Sequence, residues 1–163
     1  MEQVNNSIAA SVLIGLGCVV LLKAPTPIGA FLFAFGLLCV CIKGYDLFTG
    51  KCGYIALKPK QERKEYGVAL LCMLAYNFIT SWFFGLLVGL GDKELKYKAI
   101  AKIGGWSNNI YSIFVSAVLC GAIMYLAVSI YKSQFRIIGI VFGVPLFILS
   151  GMHHCIANTT FMG

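Results

Sequence analysis

Acidic side chains are scarce in this sequence: six Asp and Glu stand against thirteen Lys and Arg, and charged residues of both signs make up 12% of the chain. A soluble domain carries about twice that share, so there is too little charge here to cover a water-facing surface. Histidine occurs twice and proline four times. No Lys or Arg precedes the first apolar run, where Glu2 stands alone. A cleavable secretory signal needs a basic region there, so targeting is expected to fall to the first membrane segment. No nucleophile has a base and an orienting group at a plausible spacing, which leaves an enzyme reading without support. Nor does the net charge of +7 mark a nucleic-acid binder, because the Lys and Arg fall mainly between apolar runs. In such places they record membrane topology and attraction to anions.

What is abundant is apolar. The chain is 60% hydrophobic with a mean hydropathy of +0.87, and its apolar runs have helical length. They leave no room for a separate soluble domain, so one transmembrane domain over residues 1–163 is expected. Five spans are predicted at about residues 7–22, 28–46, 68–90, 110–130 and 137–149, followed by a half helix at 155–163. Pro25 and Pro27 end the first span. Basic loops at 51–67 and 91–106 separate the later spans, the second of them in part an amphipathic helix, and a tight loop is read at 131–136. Cys18, Cys39, Cys41, Cys52, Cys72, Cys120 and Cys155 mostly lie inside apolar segments; there a cysteine packs as a small hydrophobe, so free thiols are expected.

Lys51, Lys58, Lys60, Arg63, Lys64, Lys132 and Arg136 share the side of the N-terminus, whereas Lys23, Lys93, Lys96, Lys98 and Lys102 lie opposite. The positive-inside rule then places the N-terminus in the cytoplasm of an integral protein of the plasma (inner) membrane. Two spans are interrupted. The second runs into "KGYDLFTG" and the fifth breaks at Ser150 and Gly151. Lipid cannot solvate open backbone groups, so such breaks survive only where protein buries them or where they line a cavity. Corresponding breaks in two halves of a chain are a pointer to a transport site.

These breaks carry a resemblance. F-x-x-G-L-x-x-x-x-x-x-G-x-D-L-F-T-G, from Phe33 to Gly50, and F-x-x-S-G-x-x-H-x-I-A-N, from Phe147 to Asn158, resemble the two signature breaks of the formate-nitrite transporter family. "FGLLVG", from Phe84 to Gly89, fits the family's third helix. The resemblance implies an all-α polytopic membrane bundle, an aquaporin-like inverted repeat with two broken helices, assembled as a homopentamer with a pore through each protomer. Carried over by position, Leu37, Leu47 and Phe147 would form the cytoplasmic-side constriction, and Phe33 and Met124 would narrow the other side. Thr49 and His154 would face the space between, Asn158 would fix the second half helix, and Lys102 or Lys98 would face the pore. Gly121 stands where the family usually carries Asn, and His153 where an acidic residue is common. The family's final half helix and sixth span have no counterpart in this sequence, which reads as a fragment.

Elementary chemistry supports the same picture. Stripping water from a carboxylate for passage through an apolar slot costs several kcal/mol or more, and a neutral acid avoids that cost. Histidine gains and loses a proton near physiological pH, so His154 could share or donate one to an anion, with the Thr49 hydroxyl as donor or acceptor beside it. The expected substrate is a small monovalent anion and its conjugate acid: formate or nitrite first, hydrosulfide or a short carboxylate next. A non-transporting membrane scaffold and a channel for ammonia or urea are the alternatives. No cofactor is expected, and His153, His154 and Cys155 make a poor metal site because consecutive helical residues point about 100° apart.

Overall fold

A computed structural model describes residues 1–106, 109–133 and 136–163, and no strand occurs among them. Eight α-helices follow one another: α1 (Glu2–Lys23), α2 (Thr26–Lys43), α3 (Phe48–Lys51), α4 (Arg63–Gly91), α5 (Lys93–Gly104), α6 (Ile110–Tyr131), α7 (Arg136–Leu149) and α8 (Cys155–Met162). A 3-10 segment, Cys52–Leu57, follows α3. By length and composition α1, α2, α4 and α6 can each cross a bilayer. The loop read at 131–136 lies partly outside the described residues. All seven cysteines are free thiols.

Local chemistry sets the helix ends. Ala24 is extended ahead of Pro25 and closes α1, as the residue before a proline is pushed out of the helical region. Pro27 falls in the first turn of α2, where a missing N–H costs nothing. Asp92 caps α5 by accepting the Leu95 N–H at 3.1 Å.

The two breaks are one device used twice. After α2, Gly44 takes φ +70°, and the Gly44 and Tyr45 N–H groups turn back to the Cys41 and Val40 carbonyls. After α7, Gly151 takes φ +67°, and the Gly151 and Met152 N–H groups turn back to Ile148 and Phe147. This is the Schellman ending, which needs a left-handed residue and so selects glycine. Three positions beyond each glycine an extended residue starts the next helix: Leu47 (φ −106°, ψ 120°) before α3 and His154 (φ −96°, ψ 111°) before α8.

Packing repeats the same relationship. α1 lies on α2 as α6 lies on α7, and α8 touches α1 as α3 touches α6. Gly36 of α2 faces the Leu13 carbonyl and Gly139 of α7 faces the Ala127 carbonyl, each so close that an added Cβ would lie 2.6 Å from that oxygen. α2 also packs on α7, and Phe33 in the N-terminal half of α2 meets Phe147 near the C-terminal end of α7. The two therefore run antiparallel. The fold is the inverted-repeat, aquaporin-like bundle with two broken helices that the resemblance implied. Its contiguous buried core includes Phe33, Leu37, Leu47, Met124, Phe147, Ile156 and Phe161.

Candidate functional site

Two of the recesses that reach that core among the described residues lie on either side of Phe33 and Leu37. The first, of about 240 Å³, is lined by Phe33, Lys102, Trp106, Phe147, His153, His154 and Asn158, among others. The second, of about 180 Å³, is lined by residues that include Leu37, Tyr45, Leu47, Lys51, Tyr131 and Lys132. Phe33 and Leu37 are one turn apart on α2 and face different recesses. The apolar seam between them is thus about 6 Å deep along the helix.

Phe147 belongs with Phe33. Their rings meet edge to face at 6.1 Å, and the Phe147 ring also stacks on His154 at 5.3 Å. The resemblance had grouped Phe147 with Leu37 and Leu47. The antiparallel run of α2 and α7 brings the end of α7 to the opposite side of the seam instead. Met124 is buried in the same core and lines neither recess, although it was expected to narrow the same side of the pore as Phe33. Thr49 likewise lies on neither wall.

His154 is 2% exposed. Its Nδ1 accepts the Ala157 N–H at 3.2 Å, which caps α8, and its Nε2 has no partner among the described residues. The buried Thr49 hydroxyl has none either. Buried polar atoms are normally hydrogen-bonded, so these two atoms mark polar points in an apolar centre. Lys102, carried by α5, reaches the first recess with its ammonium 5.4 Å above the Phe161 ring. Asn158 Nδ2 lies 3.0 Å from His153 Nδ1, while Trp106 meets the His153 ring edge-on at 5.3 Å. The His153 N–H donates to Ser116 Oγ on α6. The break before α8 is therefore held from three directions.

Three supporting residues had not been singled out from the sequence. Asn77 of α4, fully buried, accepts the Phe48 N–H and donates to the Asp46 and Ser7 carbonyls. Ser116 and Trp106 brace the second break. Asn77 and Ser116 stand in apolar spans, and a polar residue at such a place is a functional signal. Asp46 pairs with Lys51, which closes the first break on itself.

The Formate/nitrite transporter family matches residues 1–163. "Uncharacterized transporter YrhG" of Bacillus subtilis (strain 168) is 29% identical over 145 residues, covering 80% of this chain and 54% of that protein. The chain thus spans about half the length of the curated relative it matches. The fold is shared with "Pentameric formate channel with formate bound" at a TM-score of 0.83, and with "FNT family ion channel" at 0.76. Each is 23% identical, and each match covers 98% of this chain and 72% of the other. With the paired breaks, the antiparallel α2 and α7, and a family match along its whole length, the chain belongs to the formate/nitrite transporter family.

Proposed function

We propose that the protein passes small monovalent anions and their conjugate weak acids across the plasma membrane, formate or nitrite foremost. The observation that carries this reading is the pair of recesses on either side of one apolar seam, with a buried histidine on its wall. Lys102 draws anions into the first recess by charge. Phe33 and Phe147 on one side, and Leu37 and Leu47 on the other, exclude hydrated ions, because desolvating a charge in an apolar slot is expensive. His154 and Thr49 supply the polar chemistry at the crossing. Asn158 steadies the loop ahead of α8 through His153. The N-terminus and the second recess face the cytoplasm in this reading, following the basic loop residues.

A homopentamer fits the surface and the relative named a pentameric channel. Phe78, Ile79, Phe83 and Leu87 on α4, with Phe114, Val115 and Val118 on α6, expose large apolar faces for lipid or neighbouring protomers. The direct test is formate uptake into proteoliposomes across a pH series. Saturable flux that rises as the conjugate acid becomes available is expected, and His154→Ala should change its pH profile. Equal flux in both proteins at every pH would remove His154 from the mechanism. Flux indifferent to substrate ionisation would indicate a neutral-solute channel.

A further inference from the structure

The two half helices are capped by different means. Leu47 opens α3 without a polar side chain, so Asn77 Oδ1 takes the Phe48 N–H from the neighbouring helix. His154 opens α8 with nearly the same backbone angles, and its own Nδ1 takes the Ala157 N–H. A neutral imidazole has one N–H and one lone pair. With Nδ1 committed as acceptor, the ring proton resides on Nε2, the buried atom that has no partner among the described residues.

We propose that His154 meets the permeating anion as a neutral Nε2–H donor while it caps α8, and acts as an acid toward that anion only after releasing the cap. The inference rests on the permeation reading above. Its chemistry follows from proton balance. A neutral ring that surrendered its Nε2 proton would become imidazolate, too strong a base to form. An acid step therefore starts from imidazolium: the Nε2–H bond breaks, its electron pair stays on nitrogen, and a carboxylate oxygen gains the proton. The ring left behind is neutral with its proton on Nδ1. Before and after transfer, then, Nδ1 carries a hydrogen that points at the Ala157 N–H, and neither state can cap α8.

The surroundings fit a donor. The charged and titratable groups sharing the recess are Lys102 from α5 and His153 beside the ring, and no carboxylate lines it among the described residues. An arriving anion supplies the negative charge itself. In the capped state substrate binding and helix integrity use opposite edges of one ring. In the acid state they compete.

Two substitutions separate the two edges. In His154→Asn the Asn oxygen occupies the place of Nδ1 and Asn is a preferred cap, but nothing replaces Nε2–H. In His154→Gln the amide nitrogen reaches the place of Nε2, with no good cap. The Asn variant should melt close to wild type while formate flux in liposomes drops roughly ten- to hundredfold, the loss of one hydrogen bond to a charged group. The Gln variant should keep flux within a few-fold and melt about 2–4 °C lower. Nitrogen-15 NMR of ring-labelled histidine, in an untagged His153→Gln background that leaves one histidine, should show Nε2 protonated and Nδ1 bare at neutral pH. A neutral ring protonated on Nδ1, or an Asn variant destabilised as much as the Gln variant, overturns the inference. If the spectrum shows Nε2–H and wild type carries no formate, the substrate reading fails and the cap assignment stands.

Discussion

Asn77 Oδ1 accepts the Phe48 N–H at 2.8 Å, so a side chain in the middle of α4 holds the first residue of half helix α3. The same amide reaches back to Ser7 and Ser11 on α1. Replacing it by Leu keeps the size and strands several buried donors and acceptors at once. Each such group costs about 1–3 kcal/mol, and Asn77→Leu is expected to destabilise the protein by roughly 2–5 kcal/mol. Thermal unfolding in detergent measures this, and a loss of under about 1 kcal/mol would show that the network is incidental.

Phe33 separates one recess from the seam. Phe33→Ala removes a ring that is 1% exposed, with an expected cost of about 3–5 kcal/mol. In proteoliposomes, leak of larger carboxylates should rise relative to formate. Unchanged selectivity in a folded variant would mean that the ring packs without filtering.

Gly36 and Gly139 stand at equivalent helix crossings. Gly36→Ala and Gly139→Ala should each cost about 1–3 kcal/mol, because the added methyl meets a backbone carbonyl that cannot yield easily. Gly121→Ala is the control, since nothing lies within 4 Å of its added Cβ. That variant should melt at or slightly above wild type.

Asp92 pairs with Lys23 at 2.9 Å and also caps α5. The Lys23 ammonium first, and the Leu95 N–H second, hold its carboxyl below the usual carboxylate range. A depressed carboxylate contributes stability above its unfolded pKa, near 4 for Asp, and loses it as pH falls through the lower folded value. The melting difference between wild type and Asp92→Asn, which keeps the cap, should therefore be constant above about pH 4 and shrink below it. A difference that persists into strong acid would exclude the ion pair as its source.

Lys102 faces the first recess, and Lys102→Gln should lower formate flux more at low than at high ionic strength, as screening removes a long-range attraction. Flux measured in two salt concentrations tests this; a salt-independent loss would point to packing against Phe161 instead.

Much of the scaffold was legible because lipid imposes a harsh rule on sequence. Every crossing segment must be apolar and helical, so α1, α2, α4 and α6 announce themselves, and Gly44 and Gly151 mark where that rule is broken. The partner of Phe147 was not legible. It depends on the antiparallel packing of α2 and α7, which are far apart in sequence, and helical spacing within α7 carries no such information. The role of Asn77 was hidden for a related reason: it lies in two backbone groups some thirty residues upstream. His154 was visible as a titratable residue at a break, but its use of Nδ1 as a cap required the geometry.

Phe33 and Leu37 are carried by one unbroken stretch of α2 and move as a single lever. A roll or sideways shift of that helix that withdraws one withdraws the other, so such a motion of α2 cannot work an airlock in which one door shuts before the second opens. Independent doors require separate hinges. Leu47 has one: it lies three residues beyond the left-handed Gly44, in the loop between α2 and α3.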